Sequence, residues 1–309
     1  MSDTVAGLQR KIVSASDLQS VVRTMKALAA SNIGQYERSV RALSDYYRTV
    51  ELGLSACFRE SDLPASLTPQ SGRKDTTVIG AIVFGSDQGL VGRFNEVVTE
   101  EATKFLSALG VKAAVWAVGG RVHARLANAG VPMTGLFAVP NSVKAIAPLV
   151  GQILLESETR RGVREITELH LFYNRPTSGS VYTPVQERLL PLDEDWRRKL
   201  IDLPWPTKSR PEVVGGVAPT LSAFVRGYLF VSLFRACAES LASENASRLA
   251  AMERADKNID ELLETLHGQF HRLRQSGIDE ELFDVVSGFE ALSRRNPSRS
   301  VNGASRVKS

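Results

Sequence analysis

The sequence predicts an α/β protein with a long helix at each end, the two wound together as an antiparallel coiled coil, and a compact sheet domain between them. Three observations predict it. Apolar residues recur at spacings of three and four from Leu8 to Leu54, beginning Leu8, Ile12, Ala15, Leu18, Val22 and Met25, which is one stripe down one helix face. From Tyr228 to His267 there is neither Gly nor Pro; at about 1.5 Å per residue that is roughly 60 Å of rod. In between, the period shortens, and Val78-Ile79-Gly80-Ala81-Ile82-Val83-Phe84 forms the continuous apolar run of a buried parallel strand.

The first helix is expected from about Asp3 to Phe58 within a segment 1–58, since no proline precedes Pro64. A break rich in Pro, Ser and Gly at 61–74 ends it. The sheet domain is expected over 75–192. Its first strand, 78–84, turns at Gly85-Ser86-Asp87-Gln88-Gly89 into a helix reaching about Leu109. A second strand at 113–118 leads to a helix after Gly119-Gly120, and a third at 136–139 to a helix from Ser142 to about Arg160. Strands at 168–173 and 181–190 complete the set, paired antiparallel around Pro176-Thr177-Ser178-Gly179. Strands alternating with helices imply a small, mostly parallel, Rossmann-like sheet covered on both faces. A connection from Asp193 to Pro219 then leads to the last helix, expected over 220–292, with a basic tail at 293–309.

Both long helices meet the sheet domain at their inner ends, so they leave it in the same direction, and each has an apolar stripe to hide. Mixed three and four spacing fits a left-handed two-stranded supercoil. Lengths of roughly 55 and 70 residues leave an overhang of about 15, standing about 20 Å clear. It carries Leu282, Phe283, Val285, Val286, Phe289 and Leu292. Such a tip enters a sleeve on another protein or folds back through Gly277 or Gly288; the sleeve is the preferred expectation.

Composition narrows the function. At 309 residues, 43% hydrophobic and 23% charged, the chain is ordinary for a soluble protein. No apolar run approaches the ~20 residues of a membrane span and the first residues hold no signal core, so any membrane attachment is expected through partners. The net charge of +4 and pI near 9.1 trace to the tail, where Arg294, Arg295, Arg299, Arg306 and Lys308 stand without an acidic residue. The rest is close to neutral, and no nucleic-acid partner is expected. Cys57 and Cys237 form no CxxC, and His267 with His271 lacks a third ligand, so no metal is expected. The loop Gly85 to Gly92 is neither GxGxxG nor GxxxxGK[ST] and has no Lys for a phosphate; a tight turn explains its glycines, and no cofactor is expected. There is no GxSxG and no Ser/His/Asp arrangement, so no catalytic site is expected.

Helix motifs carry more. Met25-Lys26-Ala27-Leu28-Ala29-Ala30-Ser31 and Leu241-Ala242-Ser243-Glu244-Asn245-Ala246-Ser247-Arg248-Leu249-Ala250-Ala251-Met252 put small residues where helices approach closely. Later come Arg274-Gln275-Ser276-Gly277-Ile278, Glu281-Leu282 and Val286-Ser287-Gly288-Phe289-Glu290-Ala291-Leu292. With Ser86-Asp87-Gln88-Gly89-Leu90-Val91-Gly92-Arg93-Phe94-Asn95, these resemble, in order, motifs of the gamma subunit of the F-type (F1Fo) rotary ATP synthase. Agreement is good over about 8–31 and 233–292 and weak in the middle beyond the first strand and loop. Asn32-Ile33-Gly34 stands where the family has a basic stretch, Asp279 replaces a Thr, and the basic tail extends past the usual end. These departures point to a divergent, alternative-ATPase branch.

The resemblance implies a central rotor stalk. Its coiled coil would lie inside an α3β3 hexamer, with the sheet domain on the membrane c-ring beside ε, peripheral at the cytoplasmic face of the plasma (inner) membrane. Ion-driven rotation would be coupled to ATP synthesis or hydrolysis on β, and this chain would hold no catalytic residue. By motif match, Arg274 and Gln275 would grip a β loop, with Arg248 and the Met25-Lys26 level lower on the shaft, and Leu282, Phe283, Val285, Val286 and Phe289 would form the bearing tip. Two other classes fit the residues: a coiled-coil adaptor or scaffold with an α/β docking domain, and a nucleotide-binding enzyme with helical arms and Asp87 near its active centre.

Overall fold

The computed structural model describes residues 4–60, 78–110, 112–162, 166–177, 180–192, 194–209 and 211–295. The break expected at 61–74, the hairpin tip at 178–179 and the tail beyond 295 lie outside these. In chain order the elements are α1 (Val5–Glu60), β1 (Ile79–Phe84), α2 (Phe94–Leu109), β2 (Ala113–Val118), α3 (Gly120–Asn128), β3 (Met133–Phe137), α4 (Val143–Gly162), β4 (Glu168–Thr177), β5 (Ser180–Leu190), α5 (Glu194–Ile201) and α6 (Val217–Arg295). They fall into two compact units, one formed by the chain up to Arg23 together with the chain from Arg254, the other by Thr24–Glu253.

The second unit contains the sheet, in strand order β3-β2-β1-β4-β5. The first four strands are parallel and β5 runs antiparallel beside β4, as the sequence predicts. Alternation along β1 sorts its side chains: Ala81 and Val83 pack with Val98, Val122 and Leu126 of α2 and α3, while Ile82 and Phe84 enter the larger core with α4, α1 and α6. That larger core runs from Ile146 and Ile153 through Tyr173 to Leu54, Leu229, Leu233 and Cys237. Helices α1 and α6 approach closely at Gly53, where an added Cβ would lie 2.3 Å from the Phe224 ring. Asn32 donates to Asn245 across the same pair of helices at 3.4 Å.

Along α1 the buried positions Leu8, Ala15, Val22, Ala29, Tyr36 and Val50 fall on a seven-residue repeat, and on α6 so do Asn245, Met252, Ile259 and Leu266. A strict heptad is the signature of a left-handed coiled coil. In the first unit the two segments run antiparallel. Gln19, only 8% exposed, donates to Asp256 at 3.3 Å and to Asp260, and Arg23 pairs with Asp256 at 3.1 Å. A polar group in the seam accepts partners at one register only, so this cluster fixes the alignment.

Three expectations need correction. Strand β3 begins at Met133, not 136: Gly135 lies against Trp116, where a Cβ would come within 2.9 Å, and the Thr134 hydroxyl accepts the Val115 amide at 3.0 Å. Pro132 and Gly135 hid the start of this strand from a propensity reading. The connection expected at 193–219 contains α5, an eight-residue helix that seats Trp196 against Phe58 and Tyr228. Helix α6 is 79 residues long against 56 for α1, so the unmatched end is longer than predicted. Helix α6 contains an 18-residue window of mean hydropathy 1.4, long and apolar enough by composition to cross a membrane; the helix also includes Leu221, Leu229, Leu233, Cys237 and Leu241, which belong to the core.

Candidate functional site

In an open α/β sheet the ligand crevice lies beyond the carboxyl ends of the strands, where strand order reverses. Here that point is between β1 and β4, and it receives helix α6. Ser243 donates to the Asn174 carbonyl at 2.9 Å, Ser247 donates to the Val91 carbonyl at 2.6 Å, and the Asn174 amide donates to the Phe94 carbonyl at 2.9 Å. The small residues of the Leu241–Met252 motif thus serve as pegs in a socket. Leu90, at φ +61°, takes a conformation uncommon outside glycine as the chain turns into Val91.

The loop's own polar groups are turned inward. Asp87 accepts the Gly120 amide at 2.7 Å and the Val139 amide at 2.9 Å, so a carboxylate of this chain occupies the N-terminus of α3 that a phosphate would use. Asn95 accepts the Ser86 amide at 3.0 Å and donates to the Ser86 hydroxyl at 2.8 Å. This arrangement closes a tight turn and disfavours the nucleotide-enzyme reading. Among the described residues no group of three or more His, Cys, Asp or Glu is placed to hold a metal; His267 and His271 stack on an exposed face with centroids 6.5 Å apart.

Arg248 is drawn into the socket. Its side chain is 13% exposed and donates to Glu244 at 2.6 Å, one turn before it. Burial pushes the Glu244 carboxyl above its ordinary value; Arg248 pulls it back, and the Asp87 carboxylate pushes it further up. Met25 and Lys26 are half-buried on α1.

A feature the sequence reading missed joins the β4–β5 hairpin to α6. Arg175 pairs with Glu239 at 2.9 Å and with Glu187 at 3.5 Å; Arg235 pairs with Glu187 at 3.3 Å and with Glu239 at 3.9 Å. The four close a ring of alternating charge, and Arg235 also lies over the Tyr47 ring of α1 at 5.6 Å. Arg235 and Glu239, one turn apart on an otherwise apolar helix stretch, were the available signal.

Within the first unit, α6 outlasts its partner. Every residue from Arg274 to Ala291 is exposed, so 18 residues, about 27 Å of helix, stand without a second strand among the described residues. The helix continues through Gly277 and Gly288, so it does not break there to fold back. Among the described residues Arg274 and Gln275 make no hydrogen bond or ion pair within the chain. Leu282, Phe283, Val285 and Phe289 are 60, 72, 69 and 71% exposed, and Val286 is 48% exposed. Large apolar side chains bare on a single helix mark a surface that another protein covers.

A crevice filled by the chain's own helix, together with a bare apolar helix end, defines a class: a coiled-coil shaft subunit that inserts into a partner. Comparison with known proteins makes it particular. The sequence model of the ATP synthase family matches residues 4–292. The chain is similar to the ATP synthase gamma chain of Syntrophus aciditrophicus, 27% identical over 303 residues that cover 93% of this chain and 98% of that one. It is likewise similar to that of Leifsonia xyli, 29% identical over 300 residues, 93% and 97% covered. The fold is that of the rotor in the Euglena gracilis mitochondrial ATP synthase, with a TM-score of 0.61 at 15% identity over 89% of this chain and 98% of that one. A second structure of that synthase, containing OSCP, F1 and the c-ring, gives 0.63 at 14% over 97% and 99%. The chain therefore belongs to the ATP synthase gamma family.

Proposed function

We propose that this chain is the central shaft of an F1Fo-type ATP synthase, turning within an α3β3 hexamer and coupling ion-driven rotation of a c-ring to ATP synthesis or hydrolysis on the β subunits. The observation that carries this reading is the bare end of α6, with its apolar tip and its free Arg274 and Gln275. Torque needs a rod that does not bend or slip. The heptad seam supplies stiffness, and the pegs at Ser243 and Ser247 with the Arg175–Glu187–Arg235–Glu239 ring hold α6 to the sheet domain against shear.

Arg274 and Gln275 are the grips, taking a β-loop carboxylate in one rotational state through charge-assisted hydrogen bonds of about 1.5–3 kcal/mol. The half-buried Met25 and Lys26 lie at a lower contact level; Arg248 would have to release Glu244 to act there. Leu282, Phe283, Val285, Val286 and Phe289 form the bearing that slides in the sleeve. The chain is non-catalytic, and its sheet domain rests on the c-ring with ε, which makes it a peripheral protein of the cytoplasmic face of the inner membrane.

Co-expression with the α and β subunits of the same genome, followed by sizing and an ATPase assay, tests this. One copy per three αβ pairs, with turnover dependent on it, is expected. If α and β assemble and this chain stays outside, a coiled-coil adaptor role replaces the shaft.

A further inference from the structure

Between Gln275 and Leu292, α6 carries Asp279, Glu280, Glu281, Asp284 and Glu290 and no Lys or Arg. Arg272 and Arg274 precede this stretch, and Arg294 and Arg295 follow it. The bare helix is thus positive, then negative, then positive along its length. All five carboxylates are on exposed residues, and they span about 17 Å of rod. At 100° per residue, Ile278, Leu282, Val285, Val286 and Phe289 share one sector about 100° wide. Glu280 and Asp284 fall opposite that sector, Asp279 and Glu290 along one border and Glu281 along the other. The apolar stripe is therefore bounded by acid on both sides, and its back carries acid with one exposed ring, Phe283, between Glu290 and Glu280.

We infer that the partner surface receiving this helix is an apolar collar lined with Lys and Arg, borne on the α and β loops at this level; the inference rests on the shaft reading. An apolar stripe alone would accept any apolar collar. A collar that surrounds the helix, however, strips water from carboxylates on every side, and a dehydrated charge without a counter-charge opposes docking. Cations on the collar reverse that penalty and make the belt an address that an uncharged or acidic collar rejects. A second copy of this chain is a poor occupant, because its belt has the same sign over the same length.

The test is a binding titration of the full-length chain against α3β3 from the same genome, at about 50 mM and about 500 mM NaCl. It is repeated with D279N/E280Q/E281Q/D284N/E290Q, five exposed positions that make no hydrogen bond or ion pair among the described residues. The wild type should bind about tenfold or more weaker at high salt, and the neutral variant should be about tenfold weaker at low salt with a flattened salt response. Equal, salt-insensitive docking of both would overturn the basic collar and leave the shaft in place. Failure of the wild type to dock at all would remove the shaft and this inference together. Tighter docking by a chain ending at Arg295 would assign the belt to the chain's own basic tail and overturn the collar as well.

Discussion

Replacing Leu282, Val285 and Phe289 together by Gln separates a bearing tip from an ordinary part of the fold. The three share one face of α6 and are 60, 69 and 71% exposed, so removing their apolar surface takes almost nothing from the chain's own packing. Gln forms helix as well as Leu and better than Val or Phe, which keeps the backbone helical. Chain stability should therefore stay within about 0.5 kcal/mol of wild type in urea unfolding. Docking is another matter. Full burial of a Leu, Val or Phe side chain contributes about 1.5–3 kcal/mol, and some two-thirds of each is still in water, so a sleeve stands to gain about 1–2 kcal/mol per residue. Losing three such contributions weakens docking by about 3 kcal/mol or more, at least a hundredfold in Kd. The assay is titration onto immobilised α3β3, beside unfolding of the free chain. Docking within threefold of wild type, or a large fall in the free chain's stability, would refute the bearing assignment.

The socket, the seam, the ion ring and the buried carboxyl each make a further prediction. Ser247→Ala leaves the buried Val91 carbonyl with only the Phe94 amide as donor and should cost about 0.5–1.5 kcal/mol in urea unfolding; a loss under about 0.3 kcal/mol would mean the peg is idle. Gly53→Ala drives a Cβ into the Phe224 ring and should cost about 1–3 kcal/mol of overpacking, offset by about 1 kcal/mol of helix propensity, so a stabilised variant would contradict the close approach. Arg235→Met leaves Glu187 and Glu239 facing one another with Arg175 alone between them, and should destabilise more than the double variant Arg235→Met with Glu187→Met. Glu244 holds its proton to higher pH folded than unfolded, so its stabilisation is greatest below its ordinary value of 4.5 and is lost as pH rises through the raised value. The Tm of Glu244→Gln should therefore gain on wild type between pH 4.5 and 7, and a constant difference would contradict the upward shift.

Periodicity made most of the fold legible. The heptad of α1 and the unbroken helix of α6 are long, so their pattern rises above local noise, and Val78 to Phe84 announced the central strand by hydrophobicity alone. The start of β3 was misplaced and α5 was missed for local reasons: Gly135 exists to admit Trp116, a tertiary demand no window registers, and α5 is short and charged, stable only because Trp196 and Leu200 find the core. The bare tip was legible from unequal helix lengths, with the excess understated because Val217 and Arg295 both lie beyond the expected ends. Arg248 illustrates a limit of motif reading. Its position matched a partner contact, while its guanidinium folds back on Glu244, a choice fixed by what surrounds it. Asp87 and the Arg175–Glu239 ring depend on residues far apart in sequence, which spacing cannot bring together.

The most direct test of the shaft is rotation. With α3β3 fixed to a surface through β and a probe attached to an exposed position of the sheet domain, such as Leu109, the probe is watched while ATP is supplied. If this chain is the shaft, the probe turns in one sense with three dwells per revolution, and Arg274→Ala with Gln275→Ala lowers the torque. A complex that hydrolyses ATP with this chain bound and the probe stationary would contradict it.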